Sequence, residues 1–447
     1  MNKTRLCSAI LATFAATTPV FADEVSDLRA MIAAQKQAAE AQKMRLDALE
    51  QKLNAVQQQQ QTALVSPPPA ANASAGGVPG LSFEQGKGLT YATPSASLNL
   101  YGLIDVSYLH TNHATPTSGN VTSPRVAWFS GNRWGLTGSR AMGDSGLNVI
   151  FRLESEFESQ TGAMDTPGVL FNRDAWVGVE SAELGKISLG RQNAIARDPI
   201  ASAIYGDPYG PAAPSLEEGG YTNNNNFKQL VFYSGSATGT RMDNSVVWKK
   251  DFHNGLFGGA AYQFGGVAGD FNRGSTVSGA LAYAGGAYNV AGFATHASVA
   301  GLSNDAYSIG GNYQFNKLLR VNTGVFRYTA EQGALGKRTD NAYTVSAKFT
   351  PAGKFDYQVG YQNMKADHAA VNAGGNVINA FGNASTAALT ASGSRSTVYG
   401  SAFYHFDRFT EVYVAMAYLK LKDGYRVAAT NGFRNQTEVA VGLRTRF

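Results

Sequence analysis

From residue 97 onward the chain alternates. In "SLNLYGLIDVSYLH", which starts at Ser97, apolar residues fall at nearly every second position. The same beat returns in "NVIFRLESEF" from Asn148, "LFGGAAYQFGG" from Leu256 and "AYSIGGNYQF" from Ala306, and again in "LLRVNTGVFRYT" from Leu318 and "RSTVYGSAFYHF" from Arg395. A period of two marks extended strands with one apolar and one polar face. Short turns such as Asn316-Lys317, Ala352-Gly353 and Asp407-Arg408 alternate with long polar connections. Sixteen strands fit this region at a spacing of roughly 22 residues, which suits tilted strands joined alternately by short and long segments.

The alternation also separates the two faces chemically. Tyr, Phe, Val and Leu crowd one face, while Asp105, Arg133, Arg152, Glu154 and Glu156 lie on the other. The last strand, "TEVAVGLRTRF", sets Val439, Val441, Leu443, Thr445 and Phe447 against Glu438, Ala440, Gly442, Arg444 and Arg446. A sheet whose greasy face meets lipid must close, because unpaired backbone in hydrocarbon costs several kcal/mol per group. The pattern therefore predicts an all-β transmembrane fold over residues 97–447, a 16-stranded antiparallel β-barrel. A barrel of that size is too wide for side chains to fill, so a water channel follows. The aromatics Tyr101, Tyr108, Phe151, Phe157, Tyr404 and Tyr413 are expected on the lipid-facing surface or in its interfacial girdles.

Upstream the period changes. Val25, Leu28, Ile32, Gln35, Ala39, Gln42, Leu46, Leu49, Leu53, Val56 and Gln60 follow an unbroken spacing of three and four. That seam predicts a coiled coil over residues 23–61, weakened by its glutamines and so dependent on oligomerisation. Residues 62–96, with Pro67-Pro68-Pro69 and Gly76-Gly77, have linker composition. Residues 1–22 read as a secretory signal peptide: Lys3 and Arg5, an apolar Ala9–Ala16 core, and a cleavage site at Val20-Phe21-Ala22. Both ends of an even-stranded barrel lie at its periplasmic rim, which places the coil in the periplasm.

Composition narrows the function. Charged residues make up 15% of the chain, against about 25% in soluble proteins. Mean hydropathy is nonetheless −0.19, and no run beyond the N-terminus approaches the ~20 apolar residues of a spanning helix. Loss of Lys3 and Arg5 on cleavage takes the net charge from +5 to +3, too little to make nucleic acid a partner. Cleavage also removes Cys7, the sole cysteine. The six histidines show no metal-ligand spacing: His110 and His113 are close but lack a third ligand. No Gly-x-Ser-x-Gly elbow occurs. No catalytic residue, cofactor or metal is expected.

Several stretches resemble the general trimeric porins of β-proteobacterial outer membranes. They are "LNLYGLIDVSY" from Leu98, "GNRWGLTGS" from Gly131, "NVIFRLESEFESQTG" from Asn148, "FNRDAWVGVESAELGKISLGRQ" from Phe171, "RMDNSVVW" from Arg241 and the terminal Phe447. The resemblance implies a homotrimer among outer-membrane lipids, with a third loop folded into the pore. Here that loop would run from about 193 to 240 and carry Asp198, Asp207, Glu217 and Glu218. It also implies a facing arginine wall, which maps by motif onto Arg133, Arg173 and Arg241, with Arg152 on the same polar face. Each mapped arginine has the parity opposite to a tryptophan expected outside: Trp134, Trp176 and Trp248. Phe447 would be read by the barrel-assembly machinery.

The sequence departs from the family's pattern at Arg140-Ala141-Met142, at Lys249-Lys250-Asp251 and in the N-terminal coil, which could reach peptidoglycan. Taken together, these readings point to passive diffusion of small hydrophilic solutes and ions, with mild anion preference. A porin selective for dicarboxylate or phosphate-like anions is the rival. A barrel that merely anchors a tether or adhesin is the rival from another class.

Overall fold

In the computed structural model, Glu40 and residues 80–84, 86–125, 131–197, 235–378, 387 and 389–447 are described. The chain divides into two units, Met1–Gly76 and Gly77–Phe447. The signal peptide and the coiled coil expected in the first unit lie outside the described residues, apart from Glu40, which is helical. No helix among the described residues is long and apolar enough to cross a membrane.

Nineteen strands form one sheet: β1 (Leu81–Glu84), β2 (Gly88–Ala92), β3 (Ala96–Thr111), β4 (Val121–Arg125), β5 (Arg133–Ala141), β6 (Asn148–Glu156), β7 (Asp174–Ser181), β8 (Gly185–Asn193), β9 (Arg241–Asp251), β10 (Leu256–Gln263), β11 (Thr276–Gly285), β12 (Tyr288–Val299), β13 (Leu302–Gln314), β14 (Leu319–Glu331), β15 (Lys337–Phe349), β16 (Phe355–Val371), β17 (Leu389–His405), β18 (Thr410–Asp423) and β19 (Asn435–Arg446). Sixteen of them, β3 and β5 to β19, pair antiparallel with their neighbours in turn. The ring runs on through β19, which pairs with β3 and closes it. The three short strands are additions to this ring.

β3 explains two of those additions. Its upper half, Leu103–Thr111, pairs with β19 along one edge, while its lower half, Ala96–Leu103, pairs with β5 along the other. Each remaining half-edge is filled: β2 covers Ser97–Leu100 and β4 covers Ser107–Thr111. The hairpin β1–β2 therefore extends the sheet into the stretch expected to be linker. It packs on the last short turn, where a Cβ on Gly86 would strike the Phe409 ring and Glu84 lies 3.5 Å from Arg408.

One rim carries the short turns, such as 315–318, 350–354 and 406–409, and the other carries the long connections. Two connections at the long rim are nevertheless short. β12 and β13 are joined by Ala300-Gly301 alone, both at positive φ (53° and 85°), the conformation of a tight twisted hairpin. β14 and β15 are joined by residues 332–336. Strand length is uneven as well: β5 to β8 have eight or nine residues, whereas β16 and β17 have 17.

The outer face is apolar, with Ile104, Val106, Leu189, Leu281, Ile309, Val325, Val359, Val414 and Val441 all exposed. Rings border it near the short turns in a chain of contacts: Tyr283–Tyr288, Tyr313–Phe315, Phe349–Tyr357, Phe355–Tyr404 and Tyr404–Phe406. Tyr108, Tyr307, Tyr343 and Tyr418 border it at the other end. An apolar band between two aromatic girdles is what a lipid bilayer selects. The inner face is polar. Ser278, Thr295, Asn304, Asn312 and Thr344 each aim inward a polar atom that has no protein partner among the described residues. Polar atoms in that position call for water.

Two outward assignments are corrected. Tyr101 and Tyr413 face inward, where their hydroxyls bond Glu154 (2.7 Å) and Asp105 (2.6 Å). Further rings share the inner face: Phe326 stacks near Tyr328, and Phe403 lies between Tyr413 and His405. A tyrosine is as much a polar donor as an apolar ring, so ring count alone does not set the side it takes.

Candidate functional site

The wall of β3, β5, β6 and β7 brings a charged cluster together row by row. Across the sheet, Tyr101 stands opposite Gly135, Gly135 opposite Glu154 and Glu154 opposite Asp174. The glycine in that row is required. A Cβ on Gly135 would lie 2.6 Å from the Tyr101 hydroxyl, which reaches past it to Glu154. One row up, Arg133 stands opposite Glu156, and one row down Arg152 stands opposite Thr137 and Trp176.

Glu154, 1% exposed, is the hub. It accepts from the Tyr101 hydroxyl, from Arg152 at 3.0 Å and from Arg173 Nε. Arg152 also donates to the Tyr101 oxygen at 2.7 Å and lies 3.8 Å from Asp174. Arg173 donates its second arm to Glu156. Arg133 Nε donates to Gly131 O, and Gly131 has a positive φ of 47° and abuts Glu156. In the connection beyond, Glu158 is pushed above the usual carboxylate range by burial and by the nearby Asp165 and Glu156. It is therefore a group that takes up a proton early as the pH falls.

Arg241 completes the cluster from another direction. Its nearest charges are Arg197 and Arg173, followed by Glu156 and Asp174. Its Nε and one terminal nitrogen are buried with no hydrogen-bond partner among the described residues, and the other nitrogen reaches only Thr240 at 3.5 Å. Nearby, Arg191 pairs with Asp243. Cations thus crowd this spot more than its carboxylates offset.

The long connection after β8 turns into the lumen at its root. Ala194, Ile195 and Ala196 are buried, and Ile195 joins an inner-face cluster with Met242, Val247 and Ala261. Gly259 makes the room: a Cβ there would come 2.4 Å from Ile195 Cδ1. The returning end is held on the same wall, where Ala237 N donates to Thr276 and Gln263 donates to Thr238 at 2.7 Å. Substituting Gly259→Val should push Ile195 off the wall at a cost of about 1–3 kcal/mol. The check is single-channel recording, in which current noise should rise while the heat-resistant barrel persists.

The four arginines expected on the basic wall do converge, but two of them are ion-paired rather than open. The parity argument held for Arg133, whose neighbour Trp134 faces out opposite Ser155. It did not hold for Arg173: Trp176 pairs with the inward Arg152 and bonds Asp174, and Arg173 precedes β7, where alternation has not begun. For Arg241, an irregularity between Gly190 and Gln192 interrupts the count from Trp248. Asp198, Asp207, Glu217 and Glu218 lie outside the described residues.

A second lumen cluster, toward the short turns, was not foreseen. Glu411 pairs with Arg444, and His405 sits between Glu411 (2.9 Å) and Asp356 (3.0 Å). Lys348 lies 3.3 Å from Asp356. The shared parity of Glu411 and Tyr413 on β18 was the available signal.

Comparison with known proteins gives this arrangement a context. A family model described as Gram-negative porin matches residues 62–424. An outer-membrane porin protein of Bordetella pertussis is 30% identical over 187 residues, 39% of this chain and 44% of that protein. The match thus spans less than half the length of that relative. An anion-selective porin from Comamonas acidovorans superposes with a TM-score of 0.60 at 18% identity, over 79% of this chain and all of that one. OmpT of Vibrio cholerae superposes at 0.55 with 12% identity, over 80% of this chain and all of that one.

Proposed function

The chain belongs to the Gram-negative porin family, and from that premise we propose that it forms a water-filled outer-membrane channel for passive diffusion of small hydrophilic solutes and ions, with anions favoured. The observation that carries the preference is Arg241, whose two unpartnered donors sit beside Arg197 and Arg173. Fixed cations that the wall does not neutralise raise the local concentration of anions in a pore. The resemblance in fold to an anion-selective porin agrees with this sign. The polar inner face supports a wet conduit rather than a closed anchor. Family membership implies a channel rather than an enzyme.

The protein works as a homotrimer with its long connections outward, the short-turn rim in the periplasm, and residues 23–61 as a periplasmic stalk toward peptidoglycan. Asp198, Asp207, Glu217 and Glu218 face the arginines across the opening.

Bilayer recording in a potassium chloride gradient tests the preference. The reversal potential should show chloride permeating faster than potassium, and Arg241→Gln should move it toward zero while the barrel stays folded. A cation-selective wild-type channel would sink the proposal. Crowded arginines also favour a second reading, a channel selective for dicarboxylate or phosphate-like dianions. In that case millimolar dicarboxylate should block chloride current in the wild type and spare the Arg241→Gln variant.

A further inference from the structure

The outer wall at the long-connection rim carries charge that the pore does not use. On β14 to β18, Arg327 stands opposite Asn341, Asn341 opposite Lys365, Lys365 opposite Ser394 and Ser394 opposite Lys422. Lys420 lies on the same face, opposite Ser396. All four cations are exposed, and none has an ion pair among the described residues. With strands about 4.8 Å apart, Arg327, Lys365 and Lys422 stand at intervals of roughly 10 Å along one line.

Neighbouring acids do not cancel this belt. Asp305 is taken by His296 at 2.7 Å, and Asp367 by Ser392 at 2.6 Å and by His368. The belt lies two residues beyond Tyr343, at the level where an aromatic girdle meets headgroups. Below it runs an apolar furrow. One groove of about 680 Å³ is lined by Tyr307, Ile309, Val325, Tyr343, Arg327 and Lys365. A second, of about 480 Å³, shares Ile309 and Val325 with the first and continues past Val321 toward Tyr313 and Phe315.

We propose that this wall is a binding site for a phosphate-bearing amphiphile of the outer leaflet, its headgroup on Arg327, Lys365, Lys420 and Lys422 and a chain in the furrow. The proposal rests on the orientation given above, with the long connections outward. Arginine and lysine both suit phosphate oxygens, and a lipid surface brings the chain alongside. The belt spans more than a single phosphate, which favours a headgroup carrying two. Free phosphate would leave the furrow unused.

The test uses the full-length purified protein and native mass spectrometry with bisphosphoryl lipid A, its dephosphorylated counterpart and inorganic phosphate as probes. Wild-type protein should retain the bisphosphoryl lipid at least tenfold better than the dephosphorylated one, with inorganic phosphate a poor competitor. The belt variant R327Q/K365Q/K422Q should lose that preference. The variant K317Q/K354Q/R408Q, which removes equal charge at the opposite rim, should keep it. Equal retention of both lipids, full displacement by inorganic phosphate, or equal losses in both variants would each overturn the proposal. So would dissociation of the oligomer in the belt variant alone, which would put a second protomer on this wall. The wild-type comparison of the two lipids decides the matter even if the belt variant fails to fold.

Discussion

Replacing Glu154 with glutamine should cost the barrel about 3–5 kcal/mol, the usual penalty for removing one member of a buried ion network. The substitution keeps shape and removes only charge. It strands Arg173, 4% exposed at its side chain, between Glu156 and a neutral amide, and it deprives Arg152 of its closest carboxylate. The Tyr101 hydroxyl, seated over Gly135, has no other direction in which to turn. Urea unfolding in lipid vesicles should show the loss as a lower midpoint with an unchanged slope. The double variant E154Q/R173Q should recover part of it, since the stranded cation is then gone. A double variant no better than E154Q would mean that the hub acts through shape and not charge. Surviving E154Q channels should also be more anion-selective than wild type, because the cluster has lost a negative charge.

The second large effect is expected at the closing seam. Phe447 exchanges both backbone hydrogen bonds with Gly102, at 3.0 and 2.9 Å, and its ring lies over that glycine. A Cβ at Gly102 would meet the ring at 2.3 Å, so no other residue there leaves room for it. Phe447→Ser keeps the backbone bonds and loses the ring, worth on the order of 1–2 kcal/mol, or about tenfold in folded fraction. In cells the deficit should be larger than in vitro, because the terminal aromatic also serves as the signal for assembly. Folded trimer per cell is the measurement, with single-channel conductance of the survivors unchanged. Normal cellular yield would remove the signalling role. Gly102→Val should reproduce the in-vitro loss alone, since it displaces the ring but leaves it in the chain.

Much of the barrel was legible because lipid outside and water inside impose a period of two on every strand. Val441 and Leu443 face out and Glu438 and Arg444 face in, as alternation requires. The misplaced residues share a cause. Tyr101 and Tyr413 turn inward for carboxylates on distant strands, Glu154 and Asp105, and no local pattern reveals a partner 53 or 308 residues away. Trp176 was counted from an arginine outside the strand, and Arg241 across a register irregularity. The hairpin β1–β2 was missed because its strands of four and five residues are too short to show a period within Pro- and Gly-rich sequence. The arginines themselves could be found by motif and parity. Which of them were already neutralised depended on cross-strand register, and that needed the fold.

That hairpin acts on when the barrel seals and where. β3 is the first strand of the ring to be synthesised and the last to be completed, since its upper edge waits for β19 at the far end of the chain. Its lower edge does not wait, because β2 lies only a few residues upstream and pairs through Leu89–Ala92. Once seated, β2 is a stop. A strand can slip only by two residues without turning its faces inside out. In the downward direction, a slip of that size would drive Phe447 from Gly102 into the pair Leu89–Leu100. The incoming strand has one resting place on that side, marked out before it arrives.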